Sequence, residues 1–265
     1  MSTDPHDPPP WTPERVLVTG ASRGIGRAVA MAFARTGARV AVHYATDETA
    51  AAQTAAGLTG SGHAVLGADL ADPQSARALV RRAVEALGGL DVVVNNAAVG
   101  PTSENAHPVV GTSFEHWTAQ WREVLDVGLL GAVHVAHAAA EHFVAAGQGG
   151  SIVNVGSRGA FRGEPDHPAY AATKAALHAA GQSLAVSLAP HGVSVTSVAP
   201  GVVSSERQQG RLAGPDGDGL RAQSPFGRVG TPEDIAAAVL YLASAPAVWS
   251  SGAVLDVNGA SYLRT

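Results

Sequence analysis

The sequence predicts an α/β fold: a single doubly wound domain with a parallel seven-stranded sheet and helices on both faces. Two observations predict it. Short runs rich in β-branched residues alternate with longer alanine-rich stretches, and a cluster of glycines directly follows the first run. Such alternation is typical of parallel strands joined by crossover helices. The 265 residues suit one large domain, expected at 14–265 after a polar, proline-rich and flexible tail at 1–13.

Each element follows from a local pattern. The β-branched runs predict strands at 15–19, 39–44, 63–67, 91–95, 151–155, 193–198 and 253–257. The alanine-rich stretches predict helices at 24–36, 48–58, 73–87, 114–146, 169–189 and 232–243. Residues 210–220 are rich in Gly, Pro and Asp, which favours a mobile substrate loop near 204–224 over a boundary between domains.

Composition argues against several classes of function. A formal net charge of −5 and the lack of any Lys/Arg run argue against nucleic acid as a partner. Without cysteine, the chain can form neither disulfides nor thiolate metal sites. The first residues lack the basic and apolar regions of a signal peptide, and no apolar segment is expected to reach the length of a membrane span. We therefore expect a cytoplasmic protein that does not contact membranes.

The glycine cluster predicts a dinucleotide site. It reads Thr-Gly-Ala-Ser-Arg-Gly-Ile-Gly at 19–26 and leads directly into a predicted helix. Glycines in such a turn let the backbone approach a pyrophosphate, which the N–H groups and dipole of the helix N-terminus stabilise. A glycine-rich turn is often only a tight turn, but here the required strand and helix flank it. The residues expected to contact the dinucleotide are Gly20, Ser22, Arg23, Gly24, Ile25 and Gly26.

The only lysine of the chain indicates a second functional group. The chain has sixteen arginines but only this one lysine, Lys174, which follows Tyr170 by four residues in a predicted helix. That spacing puts phenol and ammonium on one helical face. A phenol titrates near pH ~10, and a neighbouring cation favours phenolate, which would make Tyr170 a proton donor near neutrality. Taken alone, the pattern could also be a surface lysine that follows a tyrosine by chance.

With its other motifs, the sequence from 16 to 258 resembles the short-chain dehydrogenase/reductase family, and is similar to its 3-oxoacyl reductase branch. Ser157 stands thirteen positions before Tyr170, at the end of a predicted strand, as the catalytic serine of that family does. The remaining landmarks are Asp69-Leu70, Asn95-Asn96-Ala97-Ala98 and Pro200-Gly201. The resemblance implies a Rossmann-type fold, a nicotinamide cofactor and hydride transfer between the cofactor and a small carbonyl or alcohol substrate.

The resemblance also implies roles for individual residues. Tyr170 would protonate the carbonyl oxygen, Ser157 would hold that oxygen, and Lys174 would lower the pKa of Tyr170 and contact the nicotinamide ribose. Further cofactor contacts are implied at Asp69, Leu70, Asn95, Ala97, Pro200, Gly201, Val203 and Ser205.

One position departs from the family pattern. Gly128, in Asp-Val-Gly-Leu-Leu-Gly at 126–131, stands where the family has an asparagine that supports a helix distortion beside the lysine. Glycine tolerates such a distortion but lacks the side chain that fixes it. A second hypothesis therefore stays open: an NADP(H)-binding sensor or assembly subunit with weak or no catalysis.

The second strand favours NADP(H) over NAD(H). An acidic residue at its end would accept the ribose 2′-hydroxyl of NAD and repel a 2′-phosphate. Tyr44 takes that place, and no carboxylate occurs before Asp47. Arg23 in the glycine turn could pair with the phosphate, or could be a solvated turn residue.

Two groups of polar residues allow more than one interpretation. His134, His137 and Glu141 share a helical face that could bind a metal, but no fourth ligand is apparent. We expect no metal there and a subunit interface instead, giving a homodimer or homotetramer. Arg158 and Arg162 could bind an acidic substrate or a phosphopantetheine carrier, but solvated loop charges are favoured.

Overall fold

The computed structural model describes residues 13–264, and the predicted tail at 1–13 lies outside them except for its last residue. All seven predicted strands form, within a few residues of the expected bounds. They pair in parallel in the order β3-β2-β1-β4-β5-β6-β7. Their bounds are β1 Arg15–Val18, β2 Arg39–Tyr44, β3 Ala64–Gly67, β4 Val92–Asn95, β5 Gly150–Val155, β6 Val193–Pro200 and β7 Val254–Val257. The prediction of a doubly wound seven-stranded parallel sheet is confirmed.

Ten α-helices connect the strands within the described range. They are α1 Gly24–Arg35, α2 Glu48–Ala56, α3 Pro73–Leu87, α4 Phe114–Leu125, α5 Ala132–Ala146, α6 Gly159–Arg162, α7 Pro168–Leu188, α8 Gln209–Ala213, α9 Gly217–Ala222 and α10 Pro232–Leu242. Several begin where the sequence provides a cap. Asp72 accepts hydrogen bonds at the start of α3, and Thr231 and Asp234 form a reciprocal capping box on α10.

The core consists of two apolar clusters, one on each face of the sheet. Successive residues of β1 show the division, because Val16 and Val18 pack in one cluster and Leu17 in the other. The first cluster includes buried residues of α1 and α10, and the second includes residues of α3, α5 and α7. Both faces of the sheet are therefore covered, which is why its inner strands β1, β4, β5 and β6 are buried along nearly their whole length.

The strand order reverses between β1 and β4, and this position locates the functional site. In doubly wound sheets, ligands bind in the crevice outside the carboxyl ends of the strands at such a switch point. The glycine turn follows β1, the Asn-Asn-Ala-Ala segment follows β4, and Ser157 follows β5. Three separate sequence motifs are thus brought to one edge of the sheet.

The single helix predicted at 114–146 is interrupted. A π-helical segment, Asp126–Gly131, separates α4 from α5. The whole stretch is long and apolar enough to pass for a membrane span, contrary to the expectation from the sequence, and 44 % of its most apolar part is buried inside the protein. Val135, Ala139 and Phe143 of α5 are fully buried in the core, so this stretch packs as a core helix of the domain.

The segment predicted as a substrate loop near 204–224 has local helical structure. It contains a 3₁₀ turn at Glu206–Gln208, followed by α8 and α9. Its mobility stays a prediction. Because it follows β6, it lies beside the crevice formed by the ends of β4 and β5.

Candidate active site

The glycine turn adopts a conformation that requires glycine. Gly20 and Gly24 have φ of 62° and 56°, in the left-handed region that other residues rarely adopt. Gly26 is needed for a different reason: a side chain there would overlap the carbonyl of Gly20 and lie 2.6 Å from Nδ2 of Asn96. The turn therefore brings the N-terminus of α1 close to the ends of β1 and β4, with Ser22 and Ile25 half-buried beside it.

Two polar residues from neighbouring strands hold this turn in place. Asn96 donates its side-chain amide to the carbonyls of Thr19 and Gly20, at 2.9 and 3.0 Å. His43, which is 1 % exposed, accepts the N–H of Gly20 at Nδ1 and donates from Nε2 to the carbonyl of Ala68, both at 3.0 Å. Burial lowers the pKa of His43 to about 4, so the ring is neutral near pH 7.

Ser157, Tyr170 and Lys174 meet at the carboxyl end of β5. The helix α7 begins at Pro168, where the missing N–H has no cost, and its first two turns carry Tyr170 and Lys174. Lys174 is 3 % exposed, and its Nζ donates to the carbonyl of Val155 at 2.8 Å and lies 5.8 Å from the centre of the Tyr170 ring. Ser157 is two residues after Val155, and its Oγ accepts the N–H of Gly159 at 3.0 Å.

The pKa values within this group are set mainly by burial. Burial raises the pKa of Tyr170 above its ordinary value, while the Ser157 hydroxyl and the charge of Arg207 oppose the rise. Burial disfavours the charged phenolate and sets the direction of this shift, so the lowering of the Tyr170 pKa by Lys174 stays a prediction. Burial, with a smaller effect of Arg207, lowers the pKa of Lys174 to about 8.

The π-helical segment provides the helix distortion expected at Gly128. This segment packs against α7, which carries Tyr170 and Lys174. Gly128 is buried, and a side chain there would place its Cβ 2.9 Å from Cγ2 of Thr173. The distortion forms without an asparagine, and the space that a side chain would need is taken by the threonine next to Lys174.

The region expected to bind the adenosine ribose contains an exposed cation and an acidic residue. Arg23 is exposed, and its side chain makes no hydrogen bond or ion pair within residues 13–264. The carboxylate of Asp47 accepts the N–H of Ala50 and so caps α2. Glu48 lies beside Tyr44. The pKa of the Tyr44 phenol is raised, first by burial of the phenol and second by the charge of Glu48. The sequence reasoning missed Glu48 because it lies inside the predicted helix.

Other expected cofactor residues divide into accessible and interior positions. Asp69 is exposed and Ala97 half-buried, but Leu70 is 4 % exposed and packs in the core. Asn95 is 3 % exposed and donates to the carbonyl of Ala132 and to Oδ1 of Asn154. The side chains of Leu70 and Asn95 therefore face the interior, so contacts of these residues with the adenosine would come from the backbone, and their place along the adenosine stays a prediction.

The segment after β6 lies against the start of α1. Gly201 approaches Asn258 so closely that a Cβ would lie 3.1 Å from its Cα, and Pro200, the last residue of β6, is buried. Val203, 6 % exposed, forms a parallel bridge with Gly230, and Ser205 is half-buried with its Cβ near Gly24.

The next residue, Glu206, occupies the helix N-terminus. Its Oε2 accepts the N–H of Gly24 at 3.1 Å, and Oε1 pairs with Arg27 at 3.0 Å.

The two arginines after Ser157 have different environments. Arg162 is exposed and lies 3.9 Å from Glu164, in agreement with a solvated loop charge. Arg158 is only 5 % exposed, so the same prediction is wrong for it. It hydrogen-bonds Gln223 of the segment after β6, and it borders a cavity of about 350 Å³ at the ends of β6 and β7 that does not include Ser157 or Tyr170.

The histidine-rich face of α5 is engaged in ion pairs. Glu141 pairs with Arg77 at 3.1 Å and lies 3.9 Å from Nδ1 of His137. Between residues 13 and 264, no three His, Asp or Glu side chains are grouped so that they could hold a metal ion.

Sequence reasoning missed four residues of the cleft: His43, Asn96, Glu206 and Arg207. His43 left a signal as a polar residue that follows the apolar run Val40–Val42 of β2, and Asn96 stands in the Asn-Asn-Ala-Ala landmark. The others act across the turn or the cleft, from segments distant in sequence.

Comparison with known proteins agrees with this geometry. A family model described as enoyl-(acyl carrier protein) reductase matches residues 20–260. The chain is 39 % identical over 255 residues to an L-rhamnose 1-dehydrogenase (NAD(P)(+)) from Sphingomonas sp., which covers 94 % of this chain and 96 % of the relative. It is 33 % identical over 257 residues to a galactitol 2-dehydrogenase from Agrobacterium fabrum, covering 93 % and 96 % of the two chains.

A solved structure extends the comparison to three dimensions. The crystal structure of a short-chain dehydrogenase from Burkholderia cenocepacia in complex with NADP superposes with a TM-score of 0.83 at 33 % identity, covering 94 % of this chain and 97 % of that one. Nearly the whole chain thus matches such proteins in sequence and structure. The chain belongs to the short-chain dehydrogenase/reductase family; of the members named here, one is named for NAD(P)(+) and one was solved in complex with NADP.

Proposed function

We propose that this protein is an NADPH-dependent reductase of a ketone or aldehyde carbonyl, either 3-oxoacyl-like or another small carbonyl compound. The observation that carries the proposal is the grouping of Ser157, Tyr170 and the buried Lys174 at the end of β5, beside the glycine turn. A bound reduced nicotinamide would supply the hydride. The residues of this chain would orient the carbonyl and deliver a proton.

The chemistry follows from the position of each group. Tyr170 would donate its phenolic proton to the carbonyl oxygen as hydride reaches the carbon, so that the product is an alcohol and not an alkoxide. The Ser157 hydroxyl would hold the same oxygen and stabilise the charge that develops on it. Lys174 would stabilise the phenolate left behind, and its bond to Val155 fixes the ammonium in place. In the reverse direction the same groups would oxidise an alcohol.

Two structural features support NADP(H) as the cofactor, and one opposes it. Arg23 is free to pair with a 2′-phosphate, and Asp47 is occupied as the cap of α2. Against this, Glu48 next to Tyr44 adds negative charge close to the expected ribose site. We place more weight on Arg23, because an exposed guanidinium can pair bidentately with a phosphate.

The alternative of a binding protein without catalysis loses its main motivation. It depended on the missing asparagine at position 128, but the π-helical segment forms with glycine in that position. The relatives named for rhamnose and galactitol add polyhydroxy alcohols to the substrates that should be tried.

The test is NADPH oxidation with a panel of ketones, 3-oxoacyl thioesters and sugar lactones, and NADP⁺ reduction with polyols. We expect Tyr170→Phe to lower turnover on any active substrate by about 10²–10⁴-fold while cofactor binding survives. Lys174→Arg should be nearly as damaging, because a guanidinium cannot replace a buried ammonium in shape. Tyr241→Phe, on the exposed side of α10, is the matched control. A loss below about tenfold for Tyr170→Phe would contradict the assignment of Tyr170 as the acid.

A further inference from the structure

Arg207 spans the cleft above the proposed reacting centre. It lies in the 3₁₀ turn after β6, yet its guanidinium reaches Gly100 in the segment after β4, where any side chain at position 100 would overlap Nη1. The strands β4 and β6 are the two neighbours of β5, whose end leads to Ser157. Arg207 therefore crosses over the group formed by Ser157, Tyr170 and Lys174.

The charge of Arg207 has no counter-charge within the described part of the chain. No carboxylate of residues 13–264 lies within 4.0 Å of its guanidinium, and the side chain makes no hydrogen bond there. The adjacent Glu206 is turned away and pairs with Arg27 and the N–H of Gly24. Most other arginines whose side chains contact a polar group of the protein pair with Asp or Glu, as Arg15 and Arg228 do.

The electrostatic effect of Arg207 extends to the reacting groups. Burial raises the pKa of Tyr170 and lowers that of Lys174; the charge of Arg207 opposes the first shift and adds to the second. Its own pKa is lowered mainly by burial and then raised by Tyr170. Protein surrounds Arg207 on one side, which accounts for the lowered pKa. On the other side the cleft is open, so the residue is exposed to solvent.

A guanidinium that faces an open cleft without a counter-charge is available to pair with an anionic ligand. Arginine presents a rigid planar set of donors that matches a carboxylate with two parallel hydrogen bonds. A neutral sugar or ketone would bring no negative charge to pair with the Arg207 guanidinium.

We propose that Arg207 binds a carboxylate of the substrate, so that the preferred substrates are short oxo acids and the corresponding hydroxy acids. This inference rests on the proposed function for the reaction, but it names a substrate class that the catalytic residues do not specify. Hydride would add to the keto carbon, the proton would come from Tyr170, and the carboxylate would remain unchanged on Arg207.

The experiment compares each oxo acid with its own neutral methyl ester. Acetoacetate and methyl acetoacetate form one such pair, and pyruvate, 2-oxobutyrate and levulinate with their methyl esters extend the series. We expect the acid of the best pair to exceed its ester in kcat/KM by at least about tenfold in the wild type. Arg207→Gln should lower the ratio of kcat/KM for that acid to kcat/KM for its ester by about 10- to 100-fold, because any effect of the lost charge on Tyr170 and Lys174 is common to both substrates. Arg211→Gln is the matched control, since Arg211 is an exposed arginine of the same segment.

A binding measurement separates this inference from the proposed function. Malonate, which cannot be reduced, should protect the NADP⁺ complex of the wild type against thermal unfolding and should not protect that of Arg207→Gln. If no carbonyl compound is reduced but malonate protection depends on Arg207, the reductase proposal fails and the anion site stands. If esters are preferred, or Arg207→Gln lowers acid and ester equally, the inference is overturned. A higher KM for NADPH as the only effect would also overturn it, by assigning Arg207 to the cofactor phosphates.

Discussion

His43 should couple the stability of the protein, and the shape of the cofactor turn, to pH. Its Nδ1 accepts the N–H of Gly20 and its Nε2 donates to Ala68, so the neutral ring satisfies both partners. Protonation would place a second hydrogen between Nδ1 and the N–H of Gly20, where only an acceptor fits. The imidazolium would also be buried without a carboxylate, which is the cause of the lowered pKa.

The magnitude follows from the shift from 6.5 to about 4. A folded-state pKa below that of the unfolded chain means that the unfolded chain binds more protons between these values, so stability falls as the pH falls through this window. From about pH 7.5 to about pH 4.5, one such group removes about 2.5 kcal/mol from the free energy of unfolding. His178, buried under Phe161 and with a pKa also lowered to about 4, should add a similar loss.

The assay is urea unfolding of the wild type and of His43→Asn across this pH range, followed by tryptophan fluorescence. The amide oxygen of asparagine can accept the N–H of Gly20 in place of Nδ1, and it does not titrate. We expect the stability difference between the two proteins to shrink by about 2.5 kcal/mol as the pH falls, while His191→Asn, at an exposed position, shows no such change. A difference that stays constant with pH would refute the account of His43 as a neutral buried acceptor.

Three further predictions address the cofactor, the π-helical segment and assembly. Arg23→Ala should erase most of a several-fold preference for NADPH over NADH and leave NADH affinity nearly unchanged in fluorescence titrations; equal affinities in the wild type would contradict the ribose assignment. Gly128→Asn should reduce activity and thermal stability because its Cβ meets Thr173, and Thr173→Ala in the same chain should restore both. If Gly128→Asn alone is neutral, the packing argument is wrong. Light scattering should give a dimer or tetramer, consistent with the full exposure of Trp249 next to β7; a monomer at micromolar concentration would contradict this.

The parts of the fold that repeat a local pattern could be predicted from the sequence. The inner strands of the sheet are β-branched runs because both of their faces are buried, so the run itself marks the strand. The π-helical segment left no comparable signal in the hydrophobic pattern, since the apolar residues at 127, 129 and 130 continue those of the helices on either side, and only Gly128 departs from the family motif. A local change in hydrogen-bond register does not alter which residues are apolar.

The candidate site shows the same division. Ser157, Tyr170 and Lys174 could be predicted because their spacing is fixed by one strand end and one helix. The raised pKa of Tyr170 could not, because burial depends on every segment that packs around the phenol. The motifs that contain Leu70 and Asn95 do not show which way their side chains face, because that depends on segments distant in sequence, such as the one whose Ala132 carbonyl accepts from Asn95.

The contact between Glu206 and Gly24 has a kinetic consequence. A carboxylate at the N-terminus of α1 occupies the position where a pyrophosphate would be stabilised, and its negative charge would repel the incoming dinucleotide. The cofactor must therefore displace the Glu206 side chain before it can bind at the N-terminus of α1, and Glu206 is next to Arg207 in the same turn. We therefore expect the dinucleotide to bind first and leave last in an ordered sequence.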